Sequence, residues 1–444
     1  MPGPLTGRLI AGLVALTLAL APQLAAALSL IRDAEIERTL ERMARPVFQA
    51  AGIGPASVDI YIVNNRDLNA FVAAGNNIFL YSGLLTTLET PEELIAVIAH
   101  ETGHLAGGHQ ARRGMNLRDA RGPALLAVLA GIAAAAAGGP QVGAAVAVGG
   151  QSALQRSLLA YNRAEEASAD QAAIDYMLRA GVNPEGLLKV ISRFRGQEVL
   201  TMGNVDPYVQ THPLSTERVQ LIERRVGETA GRTFPEDPER AYWHARMRAK
   251  LRGYLDDPQR VLDGHSGQAE TEEALYAKAV ALYRRPAFQE ALDATGRLIA
   301  MRPADPYYIE LKAQLLFETG HAEQAVPLYR EAVRLSPEEP LIDAGLGRAL
   351  LALNTPEANA EALDVLQKAR ARDLGDVSAL RDLATAYSRA GQDGMAALAT
   401  AERYALTGNT EDAVLIAGRA ATVLPEGSPG WLRAQDILAL DTDQ

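Results

Sequence analysis

Cysteine is absent from all 444 residues, so no disulfide can staple the fold, and acylation of an N-terminal cysteine, as in a lipoprotein, is excluded. Stability has to come from core packing and, where one is bound, a metal. Positive charge is in short supply too. The chain has 43 Lys and Arg against 54 Asp and Glu, a net charge of −11, with no basic run to offset it. This balance argues against nucleic acid or an anionic membrane surface as the main partner. No uninterrupted apolar run reaches the roughly 20 residues that span a bilayer. Histidine is sparse at seven, yet His100, His104, His109 and His212 fall within one stretch of chain. The remaining composition, 48% hydrophobic and 22% charged, is an ordinary globular balance with room for two or three domains.

Residues 1–27 have the organisation of a secretory signal: Arg8, an apolar core from Leu9 to Leu20, and the small-residue site Ala25-Ala26-Ala27. An uncleaved N-terminal anchor is the alternative. Export without cysteine points to a bacterial periplasm. Apolar residues at helical spacing (Ile36, Leu40, Met43, Val47) predict an amphipathic helix between Ile31 and Ala51. Short runs at Val58 to Val63, Ala70 to Ala73 and Ile78 to Tyr81, separated by Asn and Gly turn signals, predict a small antiparallel sheet. Thr90-Pro91-Glu92-Glu93 predicts a helix start, with Thr90 as cap, Pro91 in the first turn and Glu93 completing a capping box. From Pro123 to Gly150 the chain carries no charge, and its glycines and Pro140 break it into pieces. This stretch reads as a buried or interfacial helical hairpin, either a lid that makes at most peripheral membrane contact or plain core.

Beyond Arg225 the chain becomes charged and punctuated by Gly and Pro, with a helix predicted from Arg240 to Leu255. Further on, Ala291-Leu292, Ala325-Val326, Ala362-Leu363 and Ala396-Ala397 recur at spacings of 34, 37 and 34, and Pro306 and Pro340 are also 34 apart. That period, with small residues where paired helices touch, is the tetratricopeptide signature. The longer spacing predicts a three-residue insertion near Thr355-Pro356-Glu357. The expected organisation is a signal at 1–27, a metallopeptidase domain at 28–228, a linker and helical connector at 229–270, and a repeat array at 271–444.

The chemistry is carried by His100-Glu101-Thr102-Gly103-His104. Histidines four apart lie on one helix face and can reach the same zinc ion, one per chain, while Glu101 is turned about 100° away. There its carboxylate meets a zinc-activated water and accepts a proton as a peptide carbonyl is attacked. A catalytic zinc needs a third protein ligand and one open position. Gln110 stands where the pattern HExxHxxGxxH would put a third histidine, and His109 is one residue short, so His109 reads as a turn or supporting residue. In Glu165-Glu166-Ala167-Ser168-Ala169-Asp170 a helix puts Glu166 and Asp170 on one face, the first for the metal and the second to accept an imidazole N–H. Glu165 is the alternative ligand, but its face leaves Asp170 pointing elsewhere.

HETGH followed some sixty residues later by Glu-x-x-Ala-Asp resembles the family of the CAAX prenyl proteases and HtpX-type membrane proteases, gluzincins that use His, His and Glu. Asn69-Ala70-Phe71, Asn77 to Tyr81 and Ser82-Gly83-Leu84-Leu85 resemble its lead-in, and Thr211-His212-Pro213 with Arg218 its downstream element. An export signal with a C-terminal repeat array is similar to the BepA-type periplasmic proteases. The resemblance implies His100, His104 and Glu166 as metal ligands, Glu101 as base and Asp170 as support. It makes His212 a catalytic-site residue that either stabilises the oxyanion or plugs the open coordination position, and lets Arg218 pair with a site carboxylate. The membrane enzymes of the family have clear transmembrane helices, and only 123–150 is comparable here, which argues against prenyl-protein processing.

The fold expected is α+β and mostly helical, a zincin domain with a small sheet followed by a tetratricopeptide solenoid. The function expected is a zinc endopeptidase for misfolded or stalled envelope proteins. An extended substrate would add to an edge strand such as Ile78 to Tyr81, while the repeats bind client or the outer-membrane assembly machinery. The rivals are a chaperone or adaptor scaffold with a silenced site, and an integral membrane protease.

Overall fold

A computed structural model describes residues 29–54, 57–73, 76–109, 163–194, 207–264 and 271–441. The expected signal, Gln110 and the apolar stretch 123–150 lie outside the described residues. Among those described, no helix is long and apolar enough to cross a membrane.

The fold is α+β and mostly helical. Strand β1 (Leu30–Ile31) leads into helix α1 (Ala34–Ala51), capped by the Asp33 side chain on the Ile36 amide. Strands β2 (Ile60–Val63), β3 (Ala70–Ala73) and β4 (Asn77–Tyr81) complete a four-stranded sheet of order β1-β2-β4-β3. The antiparallel expectation is corrected in one pair: β2 and β4 run parallel, while β1–β2 and β3–β4 are antiparallel. The choice of Ile78 to Tyr81 as an edge is also corrected. Ile78, Phe79 and Leu80 are all buried, so this most apolar run takes an interior position and the less buried β3 becomes the edge.

Helix α2 (Ser82–Thr87) follows, then α3 (Pro91–Ala106), which starts as expected: Thr90 Oγ1 accepts from the Glu93 amide at 3.3 Å. The return bond of the box is shifted by one residue, with Glu93 Oε2 accepting from the Glu89 amide at 2.9 Å. Every residue from Glu93 to His104 is buried, as befits a helix packed on all sides. Around it, Leu40, Met43 and Val47 of α1, Ile62 and Leu80 of the sheet, and Ala173, Ile174 and Met177 of the helix at 163–179 (α4) form one core. The domain continues through α5 (Glu185–Arg193), α6 (Pro207–Thr211) and α7 (Thr216–Gly227).

Helix α8 (Pro238–Leu255) joins this core through Met247, Leu251 and Leu255. After α9 (Pro258–Gly264) come ten helices, α10 to α19, spanning Glu272 to Leu438 in successive antiparallel pairs. Ala291, Ala325 and Ala362 are fully buried where partners meet. Gly320 turns one pair at φ +84°, a left-handed conformation that favours glycine. The three extra residues lengthen a helix: α15 (Pro356–Arg372) has 17 residues where α11 (Phe288–Met301) and α13 (Ala322–Leu335) have 14.

A buried ion cluster joins the repeats to the N-terminal domain. Arg246 of α8 bonds Glu35 of α1 and, at 2.8 Å, Asp305, the cap of α12 (Pro306–Glu318). Its guanidinium lies 3.9 Å from the centre of the Tyr308 ring, and Tyr276 of α10 (Glu272–Arg284) donates its hydroxyl to Glu35. Removing the cation would leave two buried carboxylates without it, so Arg246→Met is expected to destabilise the protein by about 3–5 kcal/mol. A clear fall in the thermal midpoint checks this, and an unchanged midpoint contradicts it.

Candidate metal centre

Helix periodicity places the first pair of donors. His100 and His104, one turn apart on α3, bring their Nε2 atoms to 3.1 Å. Helix α4 crosses them closely because position 103 is glycine: a Cβ there would lie 2.9 Å from both Cα and O of Ala169. This approach delivers Glu166, whose Oε1 is 3.2 Å from His104 Nε2 and whose Oε2 is 3.3 Å from His100 Nε2. One helical turn later, Asp170 Oδ1 lies 3.0 Å from His100 Nδ1.

His212 follows α6, its amide donating to Tyr208 O at 2.7 Å. Its Nδ1 stands 3.2 Å from His100 Nε2 and 3.1 Å from Glu166 Oε2, and its Nε2 stands 3.0 Å from Ala70 O. One ring therefore joins the histidine-carboxylate cage to the edge strand. His109 is outside the cage: α3 ends at Ala106, Gly108 turns the chain at φ +62°, and His109 Nδ1 meets His104 Nδ1 at 2.9 Å. Glu101 Oε1 is buried without a hydrogen bond, 3.4 Å from His212 Nε2.

The donors of His100, His104, Glu166 and His212 all lie within 4.8 Å of one another. Two ligands each about 2.0–2.1 Å from a tetrahedral ion stand roughly 3.3–3.4 Å apart, close to the 3.1–3.3 Å spacings in the cage. Imidazole nitrogens and a carboxylate oxygen converging at this distance need a proton or a cation between them, because bare lone pairs would repel. The residues present fit a divalent metal ion.

Charge compensation keeps the carboxylates ionised. Burial acts to raise the pKa of Glu166, but His212, His100 and His104 outweigh it and hold the group well below the usual range. For Asp170 burial is likewise outweighed, here by Arg218 and His100, and the pKa is lowered. Arg218 bonds Asp170 through Nε at 2.5 Å and Nη2 at 2.9 Å, and its Nη1 lies 3.0 Å from Glu166 Oε2. At His100 burial works downward, yet hydrogen bonds to Asp170 and Glu166 raise its pKa to about 10; His104 is lowered, chiefly by burial.

Sequence reasoning singled out Glu166, Asp170, His212 and Arg218, which the fold brings together with the two helix histidines. It gave no role to Asn69, Ala70, Tyr208 or Thr211. Asn69-Ala70-Phe71 and Thr211-His212-Pro213 were visible as motifs, but nothing in either says that the two segments touch. The structure brings them together at Thr211 Oγ1, which lies 3.0 Å from Asn69 Oδ1 and 3.1 Å from Tyr208 O, either of which can accept its proton. Tyr208, packed at a tilt against His212 with centroids 4.8 Å apart, carried no signal in the sequence.

Two outcomes are expected. Asp170→Asn, which removes the charged acceptor behind His100, lowers metal affinity about 10–100-fold in competition titration; unchanged affinity contradicts the role. A folded-state pKa below the unfolded value of about 3.9 means that Asp170 stabilises the fold above that pH and that this contribution is lost as pH falls through the depressed value. In metal-free Arg218→Met the compensating charge is gone and burial dominates. Its acid unfolding, followed by circular dichroism, is therefore expected to begin at higher pH than in the metal-free wild type. Coincident acid transitions would contradict this.

Residues 30–226 match peptidase family M48. Along 91% of its length the chain is 24% identical to a beta-barrel assembly-enhancing protease of Yersinia pestis, covering 83% of that protein. It is 22% identical to the protein of that name in Escherichia coli K12 over the same shares. The metalloprotease LoiP of Escherichia coli K12 is 33% identical over 39% of this chain and 63% of its own. The chain is a metalloendopeptidase, with residues 30–226 similar to peptidase family M48.

Proposed function

We propose that the protein is a zinc endopeptidase of the bacterial periplasm, exported by residues 1–27, that hydrolyses misfolded or stalled envelope proteins. Zinc is held by His100, His104 and Glu166, and the observation that carries this reading is the convergence of their donors with His212 within 4.8 Å. Bound there, zinc supplies Lewis acidity that polarises a peptide carbonyl and lowers the pKa of a water. Asp170 Oδ1 lies 3.0 Å from His100 Nδ1, and this carboxylate beside the ring leaves Nε2 for the metal. Arg218 holds Asp170 and Glu166 in their ionised forms. The Glu101 carboxylate, with one buried oxygen free of hydrogen bonds, accepts a proton from the attacking water and returns it to the leaving amine.

His212 bears on the resting state. Its Nδ1 points among the ligands while its Nε2 lies on Ala70 O, which favours a plug in the fourth position over an oxyanion donor. The same observation favours the second reading, a chaperone or adaptor scaffold with a silenced site, as the behaviour of the latched protein. The repeats at 271–444 would hold client or outer-membrane assembly machinery near the cleft and raise the effective concentration of substrate. The relatives that match along most of the chain are beta-barrel assembly-enhancing proteases, which supports a role in β-barrel assembly.

The test compares cleavage of an unfolded outer-membrane β-barrel protein by wild type and Glu101→Gln. The variant is expected to keep its metal and lose at least about 100-fold in rate. Equal cleavage by the two proteins contradicts the proposal. His212→Ala is expected to raise cleavage if the imidazole plugs the site, and a fall would assign it to the oxyanion instead.

A further inference from the structure

The chain is short of positive charge, with 43 Lys and Arg against 54 Asp and Glu, yet one cleft gathers four arginines. Arg248 and Arg252 of α8, Arg193 at the end of α5 and Arg260 of α9 line a cavity of about 870 Å³, within the size range of small-ligand sites. No residue of the metal cage belongs to it.

Arg193 has counter-charges: its Nη2 lies 2.8 Å from Glu93 Oε2 and 3.8 Å from Glu89 Oε2. What Arg248 and Arg252 meet instead is backbone. Arg248 Nη1 donates to Glu89 O and Nη2 to Thr86 O, each at 3.3 Å, and Arg252 Nη2 donates to the same Thr86 O, also at 3.3 Å. These bonds are long, and one carbonyl serves two guanidiniums. Arg248 Nε is buried with no hydrogen bond at all. The two arginines stand one turn apart on the same face of α8, where like charges repel and cost stability. Burial and the nearby Arg252 push the Arg248 guanidinium below its ordinary pKa, against an upward pull from Glu89 and Glu93.

Carboxylates also line the cleft, at Glu89, Asp256 and Glu273, but the Glu89 side chain is 69% exposed and its charge is spent largely on water. The first turn of α10 contributes to the lining through Thr271, Glu273 and Ala274. Thr271 Oγ1 accepts from the Ala274 amide at 3.2 Å, which leaves the two preceding amides of this helix start to other acceptors. Two guanidinium forks with unmet charge, beside a helix N-terminus, are the chemistry that recognises a phosphate group.

We propose that this cleft binds a phosphate group carried by a small soluble molecule, held by the Nη ends of Arg248 and Arg252. The net charge of −11 repels an anionic bilayer, which selects a soluble carrier over a lipid headgroup. The volume beyond the arginines, bordered by Ala245, Ala249 and Ala277, receives the organic part of the ligand. Binding relieves the repulsion between the two arginines and so stabilises the fold. The site is independent of zinc and of the peptidase reading.

Isothermal titration calorimetry of the full chain with inorganic phosphate, at an ionic strength held constant with sodium chloride, is expected to show saturable binding. Arg248→Met is expected to weaken it at least about tenfold, the effect of losing one charge-assisted hydrogen bond. Arg248→Lys, which keeps the charge and loses the fork, should fall between the two. Phosphate should raise the thermal midpoint of wild type and leave that of Arg248→Met unmoved. Equal binding by wild type and Arg248→Met would place the anion elsewhere, the metal included, and overturns the proposal, as does no saturable binding by wild type. If Arg248→Met fails to fold, Arg252→Met is measured in its place against the same outcomes. Flotation with phosphatidylglycerol vesicles distinguishes the carrier: no co-flotation supports the soluble molecule, and co-flotation that Arg248→Met abolishes overturns it in favour of a lipid headgroup.

Discussion

Two fully buried carboxylates, Glu166 and Asp170, impose the constraint on which the rest of the domain depends. Ionised groups removed from water are costly unless paired, and here each is surrounded by cationic or cation-attracting partners. Arg218 reaches both, His100 bridges them through opposite ring nitrogens, and His104 and His212 complete the ring around Glu166. Asp170 is neutralised entirely by protein groups. Glu166 faces a cage whose donors also suit a divalent ion, so the same compensation that makes burial tolerable leaves a site with metal-binding character.

The fold serves this cage in specific ways. Helix α3 is enclosed on every side, which fixes the two imidazoles without freedom to drift. Gly103 removes the one Cβ that would hold α4 away. The sheet contributes its edge rather than its centre: Ala70 of β3 is the backbone group that His212 touches, and the ring that enters the cage is the ring that covers the strand.

Much of this was legible in the sequence, and the limits have physical causes. The helix start at Thr90-Pro91, the histidines four apart and the carboxylates at 166 and 170 are local patterns, readable because helical period translates spacing directly into direction. The 34-residue period was legible for the same reason, and even the insertion near Thr355 appears as three added residues in one helix. What failed was pairing at a distance. Strand runs of four or five residues do not encode which neighbour they choose, so the parallel β2–β4 pair and the interior place of β4 were missed. The capping box closed on Glu89 instead of Thr90, and the same Glu93 oxygen accepts from the distant Arg193 at 2.8 Å. The link from Thr211 to Asn69 spans 142 residues, and neither residue type advertises such a partner.

Coupling also extends to the repeats. The Arg246 cluster ties α1, α8 and the first helices of the array into one buried network, with Arg38 to Glu339 at 2.7 Å continuing along the same face. The array is thereby held against the N-terminal domain. As proposed, two imidazoles from one helix and a carboxylate from another share one ion. Metal content of the intact purified protein, set beside that of Glu166→Gln, tests it most directly. One zinc per chain in the wild type and a marked loss in the variant is the predicted result; no zinc in the wild type, or equal zinc in both, would contradict it.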